Sequence, residues 1–198
     1  MAAAPIPNEE NCIALNCQHV GVGPGGTVPM LARVTVVDFR GNRLLDSYVQ
    51  PTAPITNYRT YTTGITSELL YNESAMPFDR VQAAIGEIVR DKFIIGYTLW
   101  WDFSILGIRH PAKDTRDVGL YLPFRAALGQ PNNVLGLPTL VWHFMRRRIA
   151  MRVHDSVAEN ARATLDLYRS NAEQWEAFIA TGDWPCALPP VAYARCFI

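Results

Sequence analysis

The chain has 198 residues, 49% of them hydrophobic and 18% charged, a length and balance that suit one packed domain. Its formal net charge of +0 excludes a protein that holds nucleic acid mainly by charge. No apolar run of about 18 residues occurs, which excludes a membrane-spanning helix.

The opening "MAAAPIPNEE" lacks a basic stretch followed by an apolar one, so it reads as a flexible lead rather than an export signal. The cysteines, Cys12, Cys17, Cys186 and Cys196, form no C-x-x-C pair. With no export signal, they read as thiols of a reducing, intracellular compartment, nuclear or cytoplasmic. His19, His110, His143 and His154 are scattered and form no zinc pattern.

Three strands are expected first, over about Cys12–Val20, Leu31–Phe39 and the segment "RLLDSYVQP". "GN" at Gly41–Asn42 joins the last two as neighbours, which implies antiparallel pairing. Asn16 and Gln18 lie two apart on the first strand and therefore point the same way, an unusual use of an otherwise apolar strand. "PTAPITNYRTYTTGI" reads as irregular loop. A helix is expected over Pro77–Asp91, with Phe78, Val81, Ile85, Ile88 and Val89 on one face.

"KFIIGY" reads as a short buried strand, and "TLWWDFSILGI" as a helix. Trp100 and Trp101 have the surface to stack on bases, but packing in the core is the favoured reading. A further short strand is expected around Thr115–Val118, and a helix at "LPTLVWHFMRRR", with Pro138 tolerated near its start. Arg146, Arg147 and Arg148 are read in two ways: a grip on phosphates, or a solvated helix end that suits the dipole.

One long helix is expected over Val157–Thr181, opened by a capping box in which Ser156 is the cap and Glu159 reaches back. Val157, Ala161, Thr164, Leu165, Tyr168, Trp175 and Phe178 make its apolar stripe. Asn160 borders that stripe, and Glu159 falls on the polar side. The tail "GDWPCALPPVAYARCFI" reads as a Pro-rich segment packed across the surface. Strands first, then strands alternating with helices, imply an α/β fold: a mixed sheet, antiparallel then parallel, flanked by helices.

Four stretches carry a family resemblance: "IALNCQHVGVGPGGTVPMLARVTVVDFRGNRLLDSYVQP", "YRTYTTGIT", "IIGYTLWWDFSIL" followed by "HPAKDTRDVGLYLPFR", and "HDSVAENARATLDLYR". They run in family order and resemble the DEDDh 3′–5′ exonucleases on their RNA exonuclease 4-like branch, with the interferon-stimulated 20 kDa exonuclease. The poly(A)-nuclease catalytic domain is more distantly similar. The resemblance implies a ribonuclease H-like fold, an exonuclease-like domain over residues 11–181, a lead over 1–10 and a packed tail over 182–198.

The family's nucleases hold two magnesium or manganese ions on four carboxylates and use a histidine as general base. Matched residue by residue, Asn16 and Gln18 stand at the first two acids, Asp102 at the third, His154 at the base and Asn160 at the last acid. An alternative alignment puts Glu159 there; helical phase argues against it. His19 stands beside the position of the 3′ nucleotide, where the family has an apolar residue, and Tyr97 where it often has a histidine.

Three amides in place of acids remove three formal charges. One carboxylate about 4 Å from a divalent ion contributes on the order of 8 kcal/mol before desolvation. The expectation is therefore a catalytically inactive pseudo-exonuclease in RNA metabolism, not an enzyme, with no metal cofactor. It would bind a protein partner or single-stranded RNA, through His19 and Arg146–Arg148 in the latter case. Near-zero charge and the aromatic tail favour a protein. The alternative is an active Mg²⁺- or Mn²⁺-dependent 3′–5′ exoribonuclease with a degenerate site. A silent subunit in a homo- or hetero-oligomer stays open.

Overall fold

A computed structural model describes residues 7–149 and 156–198. Strand β1 (Cys12–Val22) lies between β2 (Val28–Asp38) and β5 (Phe93–Gly96). β3 (Arg43–Tyr48) and β6 (Thr115–Asp117) complete the order β3-β2-β1-β5-β6. β1, β2 and β3 pair antiparallel, and β5 and β6 run parallel to β1. The expected mixed sheet is thus present.

Period-2 alternation on β1 feeds two cores. Ile13, Leu15 and Cys17 pack with Val81 and Ile85 of α3 (Phe78–Ile88) and Phe103 of α4 (Leu99–Leu106). Cys12 and Ala14 face the other way, into a cluster with Ala161, Leu165 and Tyr168 of α7 (Ser156–Arg169). Asn16 and Gln18 continue this second row. Each buried Leu, Ile or Val stabilises by roughly 1.5–3 kcal/mol. Among the described residues, no helix is long and apolar enough to cross a membrane.

The segment read as irregular loop holds a strand and a short helix instead, with a second short helix just after it. β4 (Ile55–Asn57) pairs antiparallel with Gly21 and Val22 of β1, followed by α1 (Thr60–Thr63) and α2 (Ser67–Leu70). Three residues are too few to show a period, and their pairing is supplied by β1. The approach is close: a Cβ on Gly21 would sit 2.8 Å from the Gly26 Cα, so only glycine fits there.

The sequence reading also passed over α5 (Leu122–Ala127), which precedes α6 (Leu137–Met145). The single long C-terminal helix is instead two, α7 and α8 (Ala172–Ala180). The break falls at Ser170–Asn171. The Ser170 hydroxyl donates to the Asp166 carbonyl at 2.8 Å, and the Asn171 amide to the Leu167 carbonyl at 3.1 Å. Side chains that bond back to the preceding turn compete with helix continuation.

Buried chemistry sets the new direction. The Trp175 ring stacks on Tyr121 at 3.9 Å, and Glu176 accepts a two-point bond from Arg116 of β6 at 2.7 and 2.8 Å. The Tyr168 hydroxyl donates to the same carboxylate at 2.8 Å. The chain after α8 crosses back over the domain: Leu122 N–H donates to the Pro185 carbonyl and His110 N–H to that of Cys196. Phe197 lies edge-on to Phe103.

Candidate active site

β1 has one gap in its second edge. β5 pairs with it at Cys12, Ile13 and Ala14, and β4 at Gly21 and Val22. Between these points α4 peels away from the end of β5, and a cavity of about 620 Å³ opens against Asn16, Cys17, Gln18 and His19. Its other walls include Tyr97, Trp101 and Asp102 from the β5–α4 junction, Thr63 of α1, and Asn160 of α7. A crevice at the carboxyl ends of parallel strands is where open α/β sheets bind ligands. Both faces of β1 reach it because the strand is bare there.

Asp102 occupies the bare edge. It is 4% exposed and accepts the backbone N–H of Cys17. Its Oδ2 is buried with no hydrogen-bond partner among the described residues. Burial, reinforced by the charge of Asp117, holds this carboxyl well above the usual carboxylate range, against the pull of the Cys17 N–H. Such a group retains a proton or attracts a cation.

The start of α4 is built to present Asp102. Thr98, the residue before the helix, has a left-handed backbone with φ 55°. Asp117 of β6 accepts the N–H groups of Thr98, Leu99 and Gly119 at 3.1, 2.7 and 2.9 Å. Burial lifts the Asp117 carboxyl to about 6 in spite of those donors. Sequence reading missed Asp117. The available signal was an acid inside a buried strand, followed two residues later by glycine.

Asn16 and Gln18 are 8% and 9% exposed and face the cavity from β1. The Gln18 amide nitrogen donates to the Thr63 carbonyl at 3.2 Å and ties α1 to the strand. Asn160 is half-buried and lines the cavity, whereas Glu159 is absent from its walls. His19 packs its ring 5.6 Å from Trp101, which in turn meets Tyr193 of the tail at 5.6 Å. Burial, then the charge of Arg59, lowers His19 to about 4. Trp100 is the buried member of the tryptophan pair, and Trp101 is the one at the cavity. Tyr61 stands on the rim with its ring 99% exposed.

Arg146, Arg147 and Arg148 are exposed and do not line the cavity. Arg146 ends α6 with φ 53°, its N–H donated to the Trp142 carbonyl. Arg147 pairs with Asp166 at 3.3 Å, and the Arg148 guanidinium lies 5.4 Å over the Trp142 ring. His154 and the Ser156 capping side chain lie outside the described residues.

Among the described residues, no three His, Cys, Asp or Glu side chains converge as a metal set. The cavity offers one carboxylate and three amides, all of them hard oxygen donors of the type magnesium and manganese accept. Oδ2 of Asp102, without a hydrogen-bond partner among the described residues, adds a buried oxygen that a cation could meet. This set fits one divalent ion; it does not carry the charge that four carboxylates bring to two.

No protein-family model matches the chain. Human apoptosis-enhancing nuclease is 34% identical over 187 residues, 93% of this chain and 56% of that protein. RNA exonuclease 4 of Cryptococcus neoformans is 36% identical over 165 residues, 83% of this chain and 39% of its own. The chain spans about half the length of the curated relatives it matches.

Among solved structures, the Neurospora crassa Pan2 catalytic unit superposes with a TM-score of 0.70 at 22% identity, over 90% of this chain and 29% of that one. The Saccharomyces cerevisiae Pan2 pseudoubiquitin hydrolase–RNA exonuclease module in complex with AAUUAA RNA gives 0.72 at 22%, over 89% and 31%. These likenesses establish the ribonuclease H-like fold.

Two expectations are corrected by the relatives. The chain was expected not to be an enzyme and to take no metal cofactor, yet the curated proteins it matches at 33–36% identity are named nucleases, and such exonucleases work with divalent ions. Those expectations weighed the three formal charges lost above the amide oxygens kept as weak neutral donors. From β1 through α7, this chain is homologous to RNA exonuclease 4 and apoptosis-enhancing nuclease, which are exonucleases of the DEDDh type.

Proposed function

We propose that the chain is a divalent-metal-dependent 3′–5′ exoribonuclease acting on single-stranded RNA, with a site that has exchanged most of its charge for neutral donors. One observation carries this reading. Asp102, a buried carboxyl group with one oxygen unpartnered among the described residues, shares a cavity with Asn16, Gln18 and Asn160.

In this reading Asp102 is the charged ligand, and the amide oxygens of Asn16, Gln18 and Asn160 are the neutral ones. A bound Mg²⁺ or Mn²⁺ would supply Lewis-acid polarisation of the scissile phosphate and a more acidic water. The chain's own residues do the rest. Asp117 sets the position of Asp102 through the α4 N–H groups. Gln18 ties the α1 rim to β1. His19, kept neutral, and Trp101, whose ring is tilted 58° to it, offer aromatic faces for the terminal base. His154 stands at the family's base position in sequence.

Fewer charged ligands mean a weaker grip on the ion. The activity is therefore expected at high Mn²⁺ rather than at trace levels. RNA as substrate is supported by the names of the curated relatives and by the RNA held in the Pan2 module.

The test is a short 5′-labelled single-stranded RNA incubated with the protein over a Mn²⁺ series. A ladder of products shortened from the 3′ end, abolished by chelator and by Asp102→Asn, is the expected result. RNA that stays intact at every Mn²⁺ concentration sinks the proposal.

A further inference from the structure

The cavity accounts for the end of a strand but not for its path outward. α6 begins at the cavity, where Pro138 lines the wall, and the chain after α6 returns to it at Ile149. Between these two points lies a surface that the cavity does not use. Trp142 is four residues from Pro138, hence one turn further along the same helix face. It is 48% exposed. Arg148, the residue before Ile149, sets its guanidinium 5.4 Å over the Trp142 ring.

The geometry between them is enforced. Arg146 takes a left-handed backbone at φ 53°, a conformation that side chains other than glycine rarely adopt, and this reverses the chain at the end of α6. Arg147 is then tied to Asp166 at 3.3 Å. The turn leaves Arg148 folded back over the helix rather than extended into solvent. The indole is half exposed and carries the guanidinium over its ring. The pair combines the two groups that hold single-stranded nucleic acid without sequence preference: a stacking face and a cation.

We infer that Trp142 and Arg148 form a second nucleotide site, just outside the cavity, which holds a base and phosphate upstream of the 3′ end of single-stranded RNA. The inference rests on the reading of the cavity as an RNA 3′-end site. Its occupant is RNA rather than protein, because the platform carries Arg148 itself, has the exposed Arg146 beside it and is continuous with the cavity wall at both ends. Trp142 stacks on the base, and Arg148 meets the phosphate.

The test is binding of a fluorescein-labelled oligouridylate to the full chain in chelator, where no cleavage occurs, with a uridine dinucleotide as competitor. Trp142→Ala is expected to weaken the long RNA about tenfold, and Trp142→Phe to restore most of it. Arg148→Gln is expected to weaken it as well and to lower the slope of log affinity against log salt by about 0.7. The dinucleotide, too short to leave the cavity, competes equally with all three variants. Both side chains are exposed, so unchanged melting temperatures serve as the folding control.

Long-RNA affinity and salt slope that ignore both substitutions overturn the platform, whether or not the wild type shortens RNA. Binding with the expected dependence, but no shortening in Mn²⁺, overturns the nuclease reading alone.

Discussion

Leu99 donates its backbone N–H to Asp117 Oδ2 at 2.7 Å and so fastens the first turn of α4 to β6. Three residues further along that helix is Asp102, against the bare edge of β1. The carboxylate that faces the cavity is thus aimed by one that does not. Thr98 and Gly119 donate to the same group, and Thr98 holds its left-handed backbone in that grip. Asp117→Ala strips three N–H groups, those of Leu99 and Gly119 buried and that of Thr98 partly so, of their acceptor. The expected loss is about 1–3 kcal/mol of stability, seen as a lower melting temperature. RNA shortening should fall further than the unfolded fraction explains, because Asp102 and Trp101 shift together. A variant that loses stability yet keeps the wild-type rate per folded molecule would leave Asp117 as a structural residue only.

Restoring acids tests the metal site from the other side. The triple change Asn16→Asp, Gln18→Glu, Asn160→Asp places new carboxylates beside an already buried Asp102. Without metal, like charges in one cavity repel, and the variant should melt below wild type. With Mn²⁺ or Mg²⁺ the order should reverse, since an ion bound only by the native state stabilises it by mass action. Shortening of RNA should then need far less metal. Melting temperatures with and without Mn²⁺ read the first effect and the RNA ladder the second. No gain in metal-dependent melting would refute the assignment of these three positions to the ligand set.

His19 predicts a pH dependence of stability. Its folded value is about 4 against an ordinary 6.5, so across that window the unfolded chain takes up the proton and the native state does not. Its contribution is complete above pH 6.5 and is lost as pH falls toward 4. Asp117 acts in the opposite direction: raised from 3.8 to about 6, it favours the native state as pH falls through that range. The difference between wild type and His19→Phe isolates the histidine. Denaturant midpoints at mildly acidic and neutral pH should show wild type losing ground to the variant on acidification. A constant difference would mean that His19 titrates normally.

How far the sequence revealed this site depends on the range of the interactions involved. Strand alternation put Asn16 and Gln18 on one face, and helical phase put Asn160 toward the apolar stripe and Glu159 away from it; these are local periodicities. The gap in the edge of β1 is not local. It exists because β5 ends at Gly96 and β4 pairs only at Gly21 and Val22, and β4 is too short to announce itself. Asp117 lies 18 residues from Leu99, and the Trp142–Arg148 contact depends on one left-handed residue. The helix break at Ser170–Asn171 lay beneath a continuing apolar stripe. Trp175 keeps its place in that stripe, but it packs on Tyr121 from a separate helix.

That break is held by the Arg116–Glu176 pair, which supplies the last prediction. Both side chains are nearly wholly buried, at 2% and 5% exposure, and the Tyr168 hydroxyl completes the group at 2.8 Å. Arg116 stays charged because Glu176 outweighs the cost of burial. Glu176→Ala leaves a guanidinium buried without its counter-charge, and breaking one side of such a pair costs about 3–5 kcal/mol. Glu176→Gln keeps the shape and one acceptor, and should lose less. The distinctive expectation is for the double change Arg116→Met, Glu176→Leu. With no charge left to orphan, it should be more stable than Glu176→Ala. Urea unfolding of the single and double variants gives the coupling directly. If the double variant is instead the least stable, the pair does more than hold α8 on β6, and its removal must open the core around Tyr168 and Trp175.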